Sequence, residues 1–449
     1  MVSSGKIAGG GGLGALVVVL VAIMALGPGC TQLGLKTASR SLEGAPQDLQ
    51  PVLGSFGNDG PIVDVVDWAE RRETLQQAFA QNLYGPYPEG VEGVLISREV
   101  LDTDFAKGAG QLEELTVRLG EGAEAVRFRI ALALPDGVGA ETPAPLILAE
   151  NFCGNRLAMD RDVVSPPLGD AGGCWDNPVA GMLVKLIFGK HIATPPLENI
   201  LKRGYAIAEV FPSEVAPDNK SRAPAALERL GHWTTPGTEP EGVLAVWAAT
   251  FGWAIDALED DPRIDTGKIV AWGHSRHAKS ALLAAAHDGR IAGVIAHQSG
   301  TGGATLSASE NGESIKQITG AYPHWFSPIY AEYAGRETEL PVEQHQLLAL
   351  IAPRPLFLGN GWKDVWSDPN GSFRAARAAD PAWTFLGAEG LTQTGLADPD
   401  YLTGKIAFQI RSGAHGVREA DWRAFLNWMD RWFPSTIETS SMGEGGQQQ

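Results

Sequence analysis

Read from the N-terminus, the first clear pattern is an unbroken apolar run, Leu13 to Leu26 (LGALVVVLVAIMAL), behind a stretch whose only charge is Lys6. The run is shorter than the roughly 20 residues that a membrane-spanning helix needs, and it reads as the core of an export signal covering residues 1–29. Residues 30–61 hold Gly, Ser, Pro and Gln with little periodicity, which predicts a flexible tether. From Trp68 to Leu83 (WAERRETLQQAFAQNL) apolar residues recur at helical spacing and meet the breaker Tyr84-Gly85-Pro86, so a helix is expected there. Gly93 to Pro135 is short-period and strand-like, with alternation in Ala125 to Ala133, and predicts antiparallel edge strands.

Beyond these, short and nearly continuous apolar runs alternate with helical stretches, the pattern of a parallel sheet buried on both faces. The expected strands are Pro145–Glu150, Tyr205–Phe211, Lys268–Trp272, Ala292–His297, Pro355–Leu358 and Ala407–Ile410, with helices at Val243–Leu258 and Lys279–His287. The fold class is α/β: one doubly wound domain over residues 62–433, followed by a polar tail, 434–449, expected to be disordered.

Charge narrows the function. The 35 Lys+Arg against 53 Asp+Glu give −18, and removing 1–29 with Lys6 makes it −19. That field repels phosphate backbones and anionic lipid, so nucleic acid is excluded as a partner, and contact with a membrane is expected only through an anchor. Such an anchor is available: Gly29 before Cys30 resembles a bacterial lipoprotein cleavage site, although Gly27 and Pro28 are atypical for one, and plain secretion is the alternative. Export also changes the other two cysteines, because Cys153 and Cys174 then read either as a disulfide in an oxidising compartment or as two buried thiols. No metal-binding motif is present, no cofactor is called for, and a monomer is expected.

The chemistry concentrates in Lys268-Ile-Val-Ala-Trp-Gly-His-Ser-Arg-His-Ala-Lys279, a strand, then Gly273-His274-Ser275, then a helix. A turn of this kind forces the serine into a strained, exposed position, a nucleophile elbow, although His277 stands where the common G-x-S-x-G form has its second glycine. The bland alternative is a buried serine capping the helix. A nucleophilic hydroxyl needs a base and an orienting acid, which in such sheets follow in the order serine, acid, histidine. Asp364 stands just past the strand ending near Leu358, and His415 lies between Gly413 and Gly416 just past Ala407–Ile410.

Together these residues resemble carbohydrate esterase family 15, the glucuronoyl esterases. The family's G-[C/H]-S-R-x-G-K segment is similar to Gly273-His274-Ser275-Arg276-His277-Ala278-Lys279, with Ala278 in place of the glycine. Ser299-Gly-Thr-Gly-Gly303, Gly312-Glu313, Leu347-Leu-Ala-Leu-Ile-Ala-Pro-Arg-Pro355, Asp364-Val-Trp366 with Asp368-Pro369, Gly413-Ala-His415 and Asp421-Trp422 follow in the family's order. The resemblance covers roughly Trp68 to Phe433. It implies an α/β-hydrolase fold, a mostly parallel sheet in a three-layer sandwich. It also implies Ser275 as nucleophile, His415 as general base and acid, Arg276 as an oxyanion contributor, and Lys279, Glu313 and Trp366 as ligands of a uronic acid ring. The plainer roles are a surface ion pair for Arg276, a solvated acid for Glu313 and a packed indole for Trp366. Some members place a carboxylate where this chain has Gln298, so the burden falls on Asp364; Gln298→Ala is then expected to cost little.

The function implied is an exported serine esterase cleaving esters of (4-O-methyl-)D-glucuronic acid that link glucuronoxylan to lignin alcohols. An acetyl xylan or other carbohydrate esterase on the same fold is one alternative, and a non-catalytic, lipid-anchored glycan-binding protein is another. The segment from Gly172 to Ala193 reads as an insertion over the sheet edge that shapes the site.

Overall fold

Consecutive residues of a strand point to opposite faces of its sheet, so a strand covered on both sides must be apolar throughout. The computed structural model, which describes residues 49–169, 184–309 and 311–437, builds its sheet on that rule. Nine strands are described: β1 (Val94–Asp104), β2 (Gly110–Leu119), β3 (Val126–Pro135), β4 (Ala144–Glu150), β5 (Ala206–Val210), β6 (Ile264–His274), β7 (Ile291–His297), β8 (Leu356–Gly361) and β9 (Ile406–Arg411). Their order is β1-β2-β3-β5-β4-β6-β7-β8-β9. Neighbours are antiparallel from β1 to β5 and parallel from β5 to β9.

Alternate residues feed two separate apolar layers. Leu146, Leu148, Ile269, Ala271, Val294, Leu356 and Phe408 belong to one layer, and Ile147, Ala149, Val270, Trp272, Ile295, Phe357 and Ala407 to the other. On the first layer pack α1 (Val65–Phe79), through Trp68, Leu75 and Phe79, α2 (Val243–Leu258) and α3 (Arg276–His287); α4 (Glu419–Trp432) covers the second through Trp422, Phe425, Trp428 and Met429. The architecture is therefore α/β with three layers, as expected.

The boundaries differ where polar residues set them. Helix α1 begins at Val65 because the Asp64 side chain caps it, accepting from Val66 N and Asp67 N, a signal that carries no apolar residue. Residues 49–61, expected within the tether, pack on the body instead: Val52 and Phe56 are buried, and Arg71 donates to the carbonyls of Gly54 and Gly60 at 2.8 and 2.7 Å. At the other end, Ile437 packs against the core and Lys268 donates to Pro434 O at 3.1 Å, so the start of the expected tail also lies on the body. The export signal and Cys30 lie outside the described residues. No described helix is long and apolar enough to cross a membrane.

One edge is open. Strand β1 is exposed along most of its length, carries Val94, Leu95, Ile96 and Val100 on the surface, and shifts register against β2 between Leu95 and Ser97 and again between Val100 and Asp102. The opposite half of the sheet carries the chemistry: β6, β7, β8 and β9 all deliver their C-terminal ends to one rim, where ligands of open parallel sheets bind.

Candidate active site

The geometry of the elbow follows from one bare residue and one strained one. Ser275 takes φ +57° and ψ −122°, a region that a non-glycine residue occupies at about 1–3 kcal/mol. Its N–H donates to His297 O at 2.8 Å, tying the turn to the end of β7, and helix α3 starts at the next residue. Gly273 has no room for a side chain, because a Cβ there would lie 2.0 Å from His277 O. His277 occupies the second-glycine position without closing the turn. It is buried against Phe152, ring centroids 4.6 Å apart, and its Nδ1 lies 3.1 Å from Glu150 Oε2, to which Ser280 Oγ also donates. Burial pushes Glu150 well above the carboxylate range and His277 well below the imidazole range, which makes this a neutral hydrogen bond.

His415 and Asp364 meet. Asp364, on the loop after β8, is fully buried, and its Oδ2 lies 2.8 Å from His415 Nδ1. Burial works to raise this carboxyl, but the charge and hydrogen bond of His415, with help from Ser367, hold it below the usual range. Asp364 thereby fixes the ring through Nδ1, the arrangement in which Nε2 can act as a base. His415 lies against the elbow, its ring centroid 4.6 Å from that of His274, the residue before Ser275. Ser367 Oγ is a weaker neighbour of Nδ1 at 3.5 Å.

Arg276 is more than a surface ion pair. Its Nε lies 3.2 Å from Asp218 Oδ2, and its guanidinium is layered over Phe152 at 4.7 Å and near Trp325 at 6.0 Å. Asp218 accepts from His324 Nε2 at 2.9 Å and Trp325 Nε1 at 2.7 Å. Despite its burial, Arg276 and these donors hold its carboxyl far below the usual range. The cation is thus fixed by π faces and one carboxylate beside the N-terminus of α3, whose first N–H groups have no partner within the helix. Asp218 and Phe152 were not singled out from the sequence. An isolated acid in a loop carries no motif, and only the fold brings it to Arg276.

The three expected ring ligands come together. Lys279, one turn into α3, is buried and donates to the carbonyls of Ser299 and of Thr301, the latter at 2.6 Å. Glu313 N donates to Trp366 O at 3.0 Å, and the Trp366 indole hydrogen-bonds back to the Glu313 carboxylate. Burial pushes Glu313 up and Lys279 down, each pulled back by the other's charge; Asp364 also acts on Lys279, and His415 on Glu313. A cation, a carboxylate and an indole therefore share one neighbourhood with the His415–Asp364 pair.

Cys153 is disulfide-bonded, and Cys174 lies outside the described residues. The first part of the expected insertion, residues 172–183, also lies outside them. Its later part braces the His415 loop: Phe188 O accepts from Val417 N at 2.7 Å, and His191 N donates to Val417 O at 3.2 Å, two residues after His415. Among the described residues no three His, Cys, Asp or Glu side chains gather as they would around a metal ion.

Known proteins resemble this chain over most of its length. The family model described as "Glucuronyl esterase, fungi" matches residues 189–387. The chain is 31% identical over 374 residues to carbohydrate esterase MZ0003 of an unknown prokaryotic organism, across 82% of this chain and 86% of that protein. It is 26% identical over 352 residues to a 4-O-methyl-glucuronoyl methylesterase of Phanerochaete carnosa, across 75% of this chain and 73% of the relative. Among solved structures, a glucuronoyl esterase from Solibacter usitatus superposes with a TM-score of 0.73 at 28% identity, over 86% of this chain and 99% of that one. An elbow, a buried acid–histidine pair and these relatives lead to one assignment: the chain belongs to the glucuronoyl esterases of carbohydrate esterase family 15, carboxylic ester hydrolases of the α/β-hydrolase fold.

Proposed function

We propose that this glucuronoyl esterase hydrolyses the ester that joins (4-O-methyl-)D-glucuronic acid side chains of xylan to lignin-type alcohols, by a Ser275-His415-Asp364 acyl-enzyme route. In the first half, Ser275 Oγ attacks the uronyl carbonyl carbon while His415 Nε2 takes the hydroxyl proton. The charge left on the carbonyl oxygen is met by the first N–H groups of α3 and by the Arg276 guanidinium, donors typically worth about 3–4 kcal/mol each. Collapse expels the alcohol, which leaves with the proton from His415. In the second half, water gives a proton to His415 and attacks the glucuronoyl ester of Ser275; collapse breaks the bond to Ser275 Oγ, which takes that proton back from His415 as the acid is released. Asp364 stabilises the imidazolium in both halves.

The observation that carries the uronate reading is the grouping of Lys279, Glu313 and Trp366 beside His415. A buried cation and carboxylate suit a ring bearing several hydroxyls, whereas an acetyl group offers nothing for either to hold. Export guided by residues 1–29, with Cys30 lipidated or the chain simply secreted, is part of the same proposal, since the polymer lies outside cells.

The test compares benzyl glucuronate with p-nitrophenyl acetate for wild type, Ser275→Ala and Glu313→Ala. Ser275→Ala is expected to lose at least about 10⁴-fold on both substrates, and Glu313→Ala to lose activity on the glucuronate alone. Equal losses on both esters in Glu313→Ala would refute the uronate assignment and favour a general carbohydrate esterase.

A further inference from the structure

Gln298, the first residue after β7, takes no part in the chemistry proposed above, yet it is built into the site. It is 1% exposed and holds a φ of +52°. Its carboxamide reaches both sides of the base: Oε1 accepts from Gly416 N at 2.8 Å, and Nε2 donates to Ala414 O at 3.4 Å. These are the residues immediately before and after His415. The segment needs such a grip because Gly413 and Gly416, at φ +111° and +140°, give it freedom that ordinary residues would deny.

A second side chain completes the hold. Arg411, at the end of β9, donates from Nη1 to the carbonyls of Ser412 and Ala414, both at 3.1 Å, and from Nη2 to Gly416 O at 2.6 Å. Asp421 fixes that guanidinium through Nε at 2.7 and 2.8 Å. Arginine can only donate. The Gly416 N–H therefore depends on the acceptor of Gln298, and a carboxylate there could accept from Gly416 but not donate to Ala414.

We propose that Gln298 is a positioning residue for His415, gripping the backbone on both sides of the imidazole so that Nε2 stays within reach of Ser275. The proposal rests on the reading of Ser275 and His415 as nucleophile and base. It reverses the expectation, drawn from residue type alone, that replacing Gln298 costs little.

The test uses the full-length protein with Gln298→Met, which keeps the volume and removes both bonds, and Gln298→Glu, which keeps the acceptor. A displacement of about 1 Å can cost about 100-fold, so the Met variant is expected to lose about 10–100-fold in kcat on both benzyl glucuronate and p-nitrophenyl acetate. Its KM is expected to stay within about twofold, since Gln298 touches no group assigned to substrate binding. The Glu variant is expected to recover part of the loss. Wild-type kcat in the Met variant, or a loss that vanishes once rates are corrected for the folded fraction, overturns the proposal. Should the Met variant not fold, the Glu variant decides: lower kcat at unchanged KM supports it, and wild-type kcat overturns it. Ser275→Ala is run alongside; full activity in that variant would instead overturn the underlying catalytic reading.

Discussion

The His415 ring packs against that of His274, the residue before Ser275, yet Ser275 and His415 are held by different kinds of structure. The serine is fixed locally. Its strained backbone, the bare Gly273 and the start of α3 all lie within a few residues, and its N–H is tied to the backbone at His297 O. The histidine is fixed from a distance: by Asp364 on the loop after β8, Gln298 after β7, Arg411 at the end of β9, and Phe188 through Val417. A side chain whose position is set by covalent geometry needs few helpers, whereas one on a glycine-flanked loop depends on what surrounds it. The division also suits the proposed chemistry, in which His415 carries a proton in both halves of the reaction and needs a charged partner to do so.

The comparison can be broken most sharply at Asp364. Asp364→Asn keeps the shape of the loop and removes the charge, and it is expected to lower kcat by about 10⁴-fold with the fold intact. A loss below tenfold, read on protein of normal circular dichroism, would mean that the grip on the backbone alone orients the base. On the local side, Gly273→Ala puts a methyl group 2.0 Å from His277 O. The elbow must open, with a destabilisation of about 1–3 kcal/mol and a drop in kcat of about 100-fold; urea midpoints and rates per folded molecule check both. If Gly273→Ala proved harmless while Asp364→Asn did not, the local account of the nucleophile would be wrong.

The smallest effect concerns the sheet on which both halves stand. Burial raises Glu209, on β5, from its ordinary value of 4.5 to about 8, against the pull of its hydrogen bond with Asn151. A group whose folded value is raised contributes stability that is present below the unfolded value and lost as pH rises through the folded one. The contribution of Glu209 to the unfolding midpoint is therefore expected to decline between about pH 4.5 and pH 8, and Glu209→Gln to remove that decline, read as the slope of the variant against that of the wild type. An unchanged slope in the variant would place the titration elsewhere.

How much could be read in advance follows the same division. The parallel strands were legible because each carries a short, nearly continuous apolar run, as burial on both faces demands, and the elbow because strand, glycine, serine and helix are contiguous. Asp364 and His415 were found by order along the chain, which locates strand ends without any knowledge of contacts. What stayed hidden was non-local. Asp218 and Phe152, which hold Arg276, are ordinary residues in loops, and Gln298 looked inert because an amide carries no charge. Its bonds to Ala414 and Gly416 exist only after β7 and β9 take their places on one rim.

The open edge at β1 has a bearing on how the protein behaves in crowded solution. A long, flat border of unpaired peptide groups bearing Val94, Leu95, Ile96 and Val100 would invite a second sheet to continue the first. The two slips against β2 bend that border, and Arg98, Glu99, Asp102 and Asp104 line it with charge, so a straight incoming strand finds neither matching register nor a dry surface. Ironing out those irregularities would trade resistance to aggregation for two better-paired residues.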